Sequence, residues 1–416
     1  MPSFISNDTV VDVEVVAKAD PGAPSQPTKE EMVRALQQIY IPIIKCLKLF
    51  GLYFGDTSLE KLEEVASAQR YRTISFSFLQ CIVSVTCLWL NVVMVFVSLC
   101  FEGIENAIVL FISLTNLIWG LQTAISATVC LAVLPLTEGK PSRFKKFLQN
   151  LMELKIDLGK LKSRSIKSLI AACAVWMMSV TSNIFTLLFV RGIYVGTFQP
   201  WKNWYGFTVF NIITILTFLF GAWLLPVAFI CFTCSVVEHL FEEFSKRVLS
   251  SDAQAWQLDL AALKEEHRRL CGISELASKM LSPLFLVQVA AHIPLTCFCF
   301  YISVHPPDLM NTEPYLDEVY YMTGTLYWLL LSAVTVAVIL VFGSRVNAKI
   351  HSFQTILENT NVSDQDQVKL LAFMFYLNAE PKGLSIGGLV VITKNLCLTI
   401  AGVIVSYYTV MLSLPS

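Results

Sequence analysis

Long apolar runs separated by shorter polar connections make up most of the chain. A helix needs about 20 apolar residues to cross the hydrocarbon core of a bilayer. Seven runs are long enough, and we predict that each is a membrane-crossing helix: 75–100, 108–134, 169–190, 207–231, 283–304, 324–342 and 388–414. The pattern therefore predicts an all-α, seven-transmembrane-helix membrane protein.

An eighth apolar run, at 40–55, is shorter and contains Pro42, Lys45 and Lys48. Because it is too short and too charged to cross a bilayer, we expect an interfacial or re-entrant helix there.

Residues 1–36 include PGAPSQPTKEE and no apolar run of signal-peptide length. We therefore expect an uncleaved, disordered tail before the first helix.

The composition agrees with a membrane protein. The chain has 416 residues, of which 55% are hydrophobic and 15% charged, and its mean hydropathy is +0.63. Soluble globular chains rarely have so apolar a composition. Its twelve cysteines fall mainly inside the apolar runs, so we expect small buried side chains rather than a disulfide scaffold.

Lysine and arginine are concentrated in every second connection. The rich connections are 135–168 with nine, 235–282 with six and 343–387 with four. The poor connections are 101–107 with none, 191–206 with two and 305–323 with none. By the positive-inside rule, the rich connections are cytoplasmic, which predicts a cytoplasmic amino terminus and an extracellular carboxyl terminus. The glycosylation sequons at Asn7 and Asn361 then lie in the cytoplasm, and we interpret them as chance matches.

The connection 235–282 has a helical pattern of its own. The stretch VVEHLFEEFSKRVLSS continues the fourth crossing, and Ser251 or Asp252 can cap a second helix. Apolar positions and one histidine recur at helical spacing in that second helix: Leu260, Leu263, His267, Leu270 and Leu276. We expect a packing partner for this stripe, since a solvated extension would leave it uncovered.

The seventh predicted helix carries a stripe of small and polar residues. Its members recur at spacings of three and four, which places them on one face: Asn395, Thr399, Gly402, Ser406, Thr409 and Ser413. Small residues often form close-packing seams between membrane helices. Such a face can equally be the wall of a water-filled pore to which several subunits contribute. If Lys394 lies at the inner boundary, the residues after it span one hydrocarbon thickness.

The carboxyl-terminal stretch SYYTVMLSL resembles the signature of the insect gustatory receptors, which is Thr-Tyr, five hydrophobic residues, Gln and Phe. Ser406, Tyr407, Ser413 and Leu414 take the four signature positions, and only the tyrosine is kept. The stretches IPIIKCLKLFGLYFG, EEHRRLCGISELASKMLSPLFL and FMFYLNAEPKGLSIGGLVVITKNL also resemble the family pattern. The resemblance covers residues 38–416. Because only the tyrosine of the signature is kept, the chain resembles a divergent or non-insect member of the family.

The resemblance implies a chemosensory taste receptor that acts as a ligand-gated, non-selective cation channel in the plasma membrane. It implies a homotetramer, or a heteromer with related subunits, in which the seventh helices surround the pore and cytoplasmic helices join the subunits. The implied pore and gate residues are Thr399, Gly402, Ser406, Tyr407, Thr409, Ser413 and Leu414. Ser413 offers a shorter polar ring than glutamine, and Leu414 a smaller plug than phenylalanine.

The implied ligand is an extracellular small molecule, either a sugar or a bitter compound, bound within each subunit. The resemblance implies a pocket among the outer halves of the first six helices, and the candidate ligand-binding residues lie on five of them: Asn116, Trp119, Gln122, Asn183, Asn211, Gln288, His292, Thr296, Tyr327 and Trp328. Gln288, His292 and Thr296 share a helix face, and an intramembrane histidine is a candidate functional residue. The alternative is that these side chains only form hydrogen bonds between helices.

With the resemblance, the chain divides into six segments. They are a disordered cytoplasmic tail at 1–36, a juxtamembrane or re-entrant segment at 37–73, crossings one to four at 74–234 with the ligand-binding bundle, cytoplasmic anchor helices at 235–282, crossings five and six at 283–342, and a cytoplasmic helix with the pore-lining seventh crossing at 343–416.

The sequence gives no support for an enzyme. Its five histidines do not form an HExxH motif, and no glycine-rich phosphate-binding loop is present. We expect no metal, no cofactor and no nucleic-acid partner, with lipid as the surroundings. The alternative function is a seven-helix receptor or transporter without a pore of its own, that is, G-protein-coupled signalling or solute transport.

Overall fold

In the computed structural model, the described residues are 29–54, 76–101, 107–135, 142–154, 159–189, 218–250, 260–305, 314–358, 366–379 and 382–413. They form ten helices and one two-stranded sheet. The elements are α1 Lys29–Leu49, α2 Phe76–Phe101, α3 Ala107–Val133, α4 Arg143–Glu153, α5 Gly159–Phe189, α6 Phe220–Ser250, α7 Leu260–Val304, α8 Pro314–Glu358, α9 Gln367–Asn378, β1 Ser385–Ile386, β2 Val390–Val391 and α10 Lys394–Leu412.

Helices cover the predicted crossings, and the all-α membrane fold is confirmed. Six of the described helices are long and apolar enough to cross a membrane: Phe76–Phe101, Leu110–Val133, Phe220–Leu249, Leu260–Val304, Thr323–Glu358 and Lys394–Leu412. The 31-residue helix α5 covers the third predicted crossing. The first part of the fourth predicted crossing, 207–217, lies outside the described residues.

Two helices extend far beyond a bilayer. Each of α7 and α8 has 45 residues, which is about 68 Å at 1.5 Å per residue, or twice the hydrocarbon thickness. The helix α6 likewise continues without interruption to Ser250. The proposed caps Ser251 and Asp252 lie outside the described residues. These extensions form an extramembrane bundle with α9.

An imidazole lies at the centre of the extramembrane bundle. His267 is fully buried, with ring centroids 5.7 Å from Phe241 of α6, 5.7 Å from Phe353 of α8 and 5.8 Å from Phe373 of α9. Leu270 is buried beside it. The packing partner expected for this stripe of α7 is therefore the chain itself, because α6, α8 and α9 pack over it, and at His267 no face is left for another subunit to cover.

The short helix α1 packs against the side of the transmembrane bundle. Ser165 Oγ of α5 donates to the carbonyl oxygen of Ile39 at 2.7 Å, and Phe50 contacts Trp176 with ring centroids 5.7 Å apart. Since Trp176 lies within the third predicted crossing, the end of α1 reaches membrane depth. This favours a re-entrant over an interfacial helix.

The segment before α10 corrects one predicted boundary. The apolar run 388–414 was expected to be helical from its start, but residues 385–391 form an antiparallel hairpin. Gly387 and Gly388 have φ angles of 61° and 74°, a left-handed conformation that favours glycine and ends helical backbone. The helix begins only after Thr393, whose side chain accepts from the backbone N–H of Leu396.

Candidate functional site

The helix α10 leaves most of its surface outside its own chain. None of its 19 residues is buried, and Leu398, Val405 and Val410 are 72%, 61% and 59% exposed. Its length is about 28 Å, which is one hydrocarbon thickness. The helix is therefore a membrane crossing that its own chain covers on one side only.

One stripe of α10 contacts the rest of the chain. Its half-buried members are Leu396, Cys397, Ile400, Ile404, Tyr408 and Met411. The ring of Tyr408 stacks on Phe300 of α7 at a centroid distance of 4.2 Å, and Cys397 Sγ lies 3.6 Å from the carbonyl oxygen of Leu340 of α8. The helix is thus held against α7 and α8.

The polar stripe lies on the opposite side of α10. At 100° per residue, its centre is about 180° from the half-buried stripe. Its members are all exposed: Asn395, Thr399, Gly402, Ser406, Thr409 and Ser413. A Cβ atom added at Gly402 would meet nothing within 4 Å. Against the described residues, the polar stripe is therefore not a packing seam within this chain. It can be either a pore wall or a seam between chains.

The hydroxyl groups of the polar stripe donate to their own helix. Each acceptor is the backbone carbonyl oxygen of a residue three or four positions earlier. The oxygen-to-oxygen distances are 2.9 Å from Thr399 to Asn395, 2.9 Å from Ser406 to Gly402, 3.1 Å from Thr409 to Val405 and 2.6 Å from Ser413 to Val410. Such backbone bonds satisfy the hydroxyl hydrogen and leave oxygen lone pairs for other partners. At these four positions the outward face of α10 therefore presents acceptors rather than donors.

The two neighbouring tyrosines of α10 differ in their surroundings. Tyr407, one of the implied pore and gate residues, is 54% exposed, whereas Tyr408 packs within the chain. Among the described residues, no helix covers Tyr407. Leu414, the predicted constriction, lies outside the described residues.

Four aromatic side chains from three helices meet inside the transmembrane bundle. Trp328 of α8 lies with its ring centroid 5.0 Å from Trp119 of α3, 5.9 Å from Phe220 of α6 and 5.8 Å from Trp223 of α6. Two of the four, Trp119 and Trp328, are predicted ligand residues. We call these four residues the aromatic cluster.

His292 of α7 lies against the aromatic cluster and uses both ring nitrogens. Trp223 Nε1 donates to His292 Nε2 at 2.9 Å, which leaves the proton of the neutral imidazole on Nδ1. Nδ1 lies 3.0 Å from the hydroxyl of Ser332 of α8, and Thr296 Oγ1 is 3.0 Å from the same hydroxyl. His292 thus holds three helices together and orients Trp223.

A second polar network lies one turn away. Gln122 Nε2 of α3 donates to Gln288 Oε1 of α7 at 2.9 Å, and Gln288 Nε2 donates to Ser126 Oγ at 3.2 Å. Both glutamines are buried. For Gln288, as for His292, the interhelical hydrogen bonds that the sequence left as an alternative are present.

The other predicted ligand residues are more dispersed. Tyr327 Oη lies 2.7 Å from the hydroxyl of Ser179 of α5, and Asn116 is half-buried on α3. Asn183 lies on α5, but its side chain is not among those described, and Asn211 lies outside the described residues. The aromatic cluster and its two polar networks are therefore what the structure brings together.

Three buried polar atoms beside the aromatic cluster have no hydrogen-bond partner in the described part of the chain. They are the indole nitrogens of Trp119 and Trp176 and Oε1 of Gln122. Buried polar groups are almost always hydrogen-bonded. Two donors and one acceptor are thus available to a bound molecule.

The sequence did not single out several residues of this region. Trp223, Phe220 and Ser332 lie within apolar runs, where nothing distinguishes them from ordinary core residues. The sequence signal is that three tryptophans, Trp119, Trp223 and Trp328, each fall inside a predicted crossing.

The described residues contain no group of three or more histidine, cysteine or acidic side chains that could hold a metal ion. The twelve cysteines are all free thiols, as expected. Cys173, predicted to be buried, is exposed instead, because it lies on the outer side of α5.

The sequence model of the family described as 7tm chemosensory receptor matches residues 45–412. No curated protein sequence matches the chain significantly. The fold is similar to that of the insect olfactory receptor OR5 from Machilis hrabei, with a TM-score of 0.63 at 12% identity over 92% of this chain and 99% of that chain. A structure of that receptor in complex with eugenol gives a TM-score of 0.60 at 14% identity over 91% and 98%.

Proposed function

Because the chain belongs to the 7tm chemosensory receptor family, we propose that it is a ligand-gated, non-selective cation channel opened by an extracellular small molecule. The observation that carries this proposal is the orientation of α10. Its polar stripe points away from its own chain, while apolar residues flank the stripe on both sides. A pore-lining helix needs this arrangement, since its polar face meets water and its flanks meet neighbouring subunits.

The proposed assembly is a homotetramer, or a heteromer with related subunits, in the plasma membrane. One α10 cannot enclose a pore, so several copies have to surround a common axis. Exposed apolar side chains, such as Leu398 and Val405 on one flank and Val410 on the other, are available to neighbouring copies. In this arrangement Tyr407 packs against the next subunit.

The chemistry of the polar stripe supports cation conduction. It contains hydroxyl, amide and glycine positions but no charged side chain. Because the hydroxyl hydrogens of Thr399, Ser406 and Thr409 are bound to the backbone, their oxygens turn acceptor lone pairs to the lumen. Neutral acceptors replace part of a cation's hydration shell without a fixed charge, which fits weak selectivity.

The outer gate is proposed at Ser413 and Leu414. Ser413 follows the last residue of α10 and continues its polar stripe. In a symmetric assembly, a ring of Ser413 hydroxyls at one end of the pore would precede an apolar ring of Leu414. Hydrophobic constrictions close pores by dewetting.

The aromatic cluster supports a compact, apolar or aromatic ligand of the bitter class rather than a sugar. Stacked indole rings favour flat apolar surfaces. A sugar requires many hydrogen bonds, but His292 and Gln288 are already engaged within the chain. The unpartnered atoms of Trp119, Trp176 and Gln122 can serve a ligand with few polar groups. The binding of eugenol by the OR5 receptor is consistent with this class.

Current through cells that express this chain alone tests the proposal. The cells are screened with sugars, amino acids, bitter compounds and eugenol, and surface expression is measured by biotinylation. We expect a ligand-evoked cation current that Ser413→Leu abolishes, or whose selectivity it changes, at unchanged surface expression. The matched control is Val410→Leu on the flank of α10, which should retain the current. A purified particle that conducts ions as a monomer would overturn the proposed assembly.

A further inference from the structure

The helix α8 extends from the aromatic cluster to the start of α10. Trp328 and Ser332 on α8 belong to the ligand region described above. Gly343 lies eleven residues beyond Ser332 on the same helix, which is about 16 Å at 1.5 Å per residue. No proline interrupts α8 between these positions, so this part of the helix can move as one rigid element.

Gly343 is in close contact with the residue that precedes the cap of α10. A Cβ atom placed at Gly343 would lie 2.7 Å from Cδ1 and 3.0 Å from Cγ2 of Ile392. Ile392 is fully buried, and Thr393 immediately after it caps α10. An alanine at 343 would therefore have to displace the buried side chain of Ile392 next to the cap of α10.

Two further contacts hold the same part of α8 to the segment around the hairpin. Asn347 Nδ2 donates to the carbonyl oxygen of Lys382 at 2.7 Å, just before β1. One turn in the other direction, the carbonyl oxygen of Leu340 lies 3.6 Å from Cys397 Sγ in the first turn of α10. Residues 340–347 thus contact three points of this segment: Lys382 before β1, Ile392 next to the cap of α10, and Cys397 after the cap.

We propose that Gly343 is a positioning residue that couples the ligand region to the pore, through its contact with Ile392. A ligand that shifts Trp328 or Ser332 displaces α8, and the contact at Gly343 transmits that displacement to the cap of α10. The pore face of α10 then changes its orientation. This inference rests on the proposed channel function.

The test measures how fast a cysteine at position 409 reacts with a charged, membrane-impermeant thiol reagent applied from outside. The parent chain without this cysteine gives the background from the natural cysteines. We expect Gly343→Ala to change the reaction rate about threefold or more, in the range of coupling between contacting residues. The matched control is Gly324→Ala on the same helix, where a Cβ atom would meet nothing within 4 Å, and its rate should equal that of wild type.

A rescue variant separates coupling from general damage. Ile392→Ala removes the two atoms closest to position 343, so the Gly343→Ala and Ile392→Ala double variant should return to within about twofold of the wild-type rate. Asn347→Ala, which removes a neighbouring contact without adding volume, should shift the rate in its own right. Surface biotinylation reports whether each variant folds and reaches the membrane.

A double-mutant cycle tests the connection to the ligand region. Ser332→Ala should change the reaction rate at 409 in the wild type but not in the Gly343→Ala background. Sites this far apart are additive when they are independent, so additive effects would overturn the coupling. Equal rates in Gly343→Ala and Gly324→Ala would overturn it too. A cysteine at 409 that reacts in none of these backgrounds would instead overturn the proposed pore, and the coupling with it.

Discussion

At the residue scale, the hydroxyl groups on α10 and those beside the aromatic cluster form different kinds of hydrogen bond. Within the described part of the chain, Thr399 and Ser406 on α10 bond only to their own helix, so their outward faces remain available to water or ions. Beside the aromatic cluster, Ser332 instead bonds across helices to His292. Sequence alone cannot separate these uses, because each is a small hydroxyl residue in an apolar run and only the packing decides its partner.

Cysteine accessibility along the end of α10 should follow the polar stripe. Cysteines placed at 409 and 413 should react with water-soluble thiol reagents in the open channel, because these positions face away from the chain. Cysteines at 408 and 412 should not, since position 408 stacks on Phe300 and position 412 lies on an apolar flank. The opposite pattern would identify the polar stripe as a packing seam between subunits.

Replacement of His292 should destabilise the protein. His292→Ala leaves the buried indole N–H of Trp223 and the Ser332 hydroxyl without this partner. We expect the free energy of unfolding to fall by about 2 to 4 kcal/mol, since each unsatisfied buried group costs roughly 1 to 3 kcal/mol. Thermal unfolding in detergent measures the effect. Ser303→Ala on the same helix removes a bond within α7 only, and an equally large loss there would contradict the interhelical role of His292.

At the element scale, the sequence predicts the crossings well and the connections poorly. An apolar run of bilayer length can satisfy its backbone only as a helix, so the runs at 283–304 and 324–342 fall within observed helices. The hairpin at 385–391 is a different case, because its apolar residues look like a continuation of the seventh run. The Gly387–Gly388 pair was the local signal for a turn.

The exposed face of α9 is the clearest candidate for contact between subunits outside the membrane. Val368, Leu371 and Phe375 are 75%, 58% and 70% exposed and share one face, while Phe373 and Leu377 on the other face are buried. We expect Phe375→Glu to lower the oligomeric mass measured by light scattering in detergent, because a charge would have to be desolvated in the contact. The exposed Lys369→Glu variant is the control, and an unchanged mass for Phe375→Glu would exclude this face.

At the scale of the whole molecule, the chain covers the stripe around His267 much better than it covers α10. The ring around His267 is closed by three other helices of the same chain, whereas α10 has no buried residue. The sequence could not predict this contrast, because apolar stripes at helical spacing look alike whether the same chain or another copy covers them. The contacts between copies therefore have to be sought along α10 and α9.

The orientation of the whole chain in the membrane is the last prediction. Connections 135–168 and 235–282 contain fifteen of the thirty lysine and arginine residues, so they should be cytoplasmic, with the carboxyl terminus outside. A tag at the carboxyl terminus should be stained on intact cells, and a tag at the amino terminus only after permeabilisation. A G-protein-coupled receptor has the reverse orientation, so this result also separates the two functional classes. Glycosylation of Asn361 in cells would place its connection outside and reverse the topology.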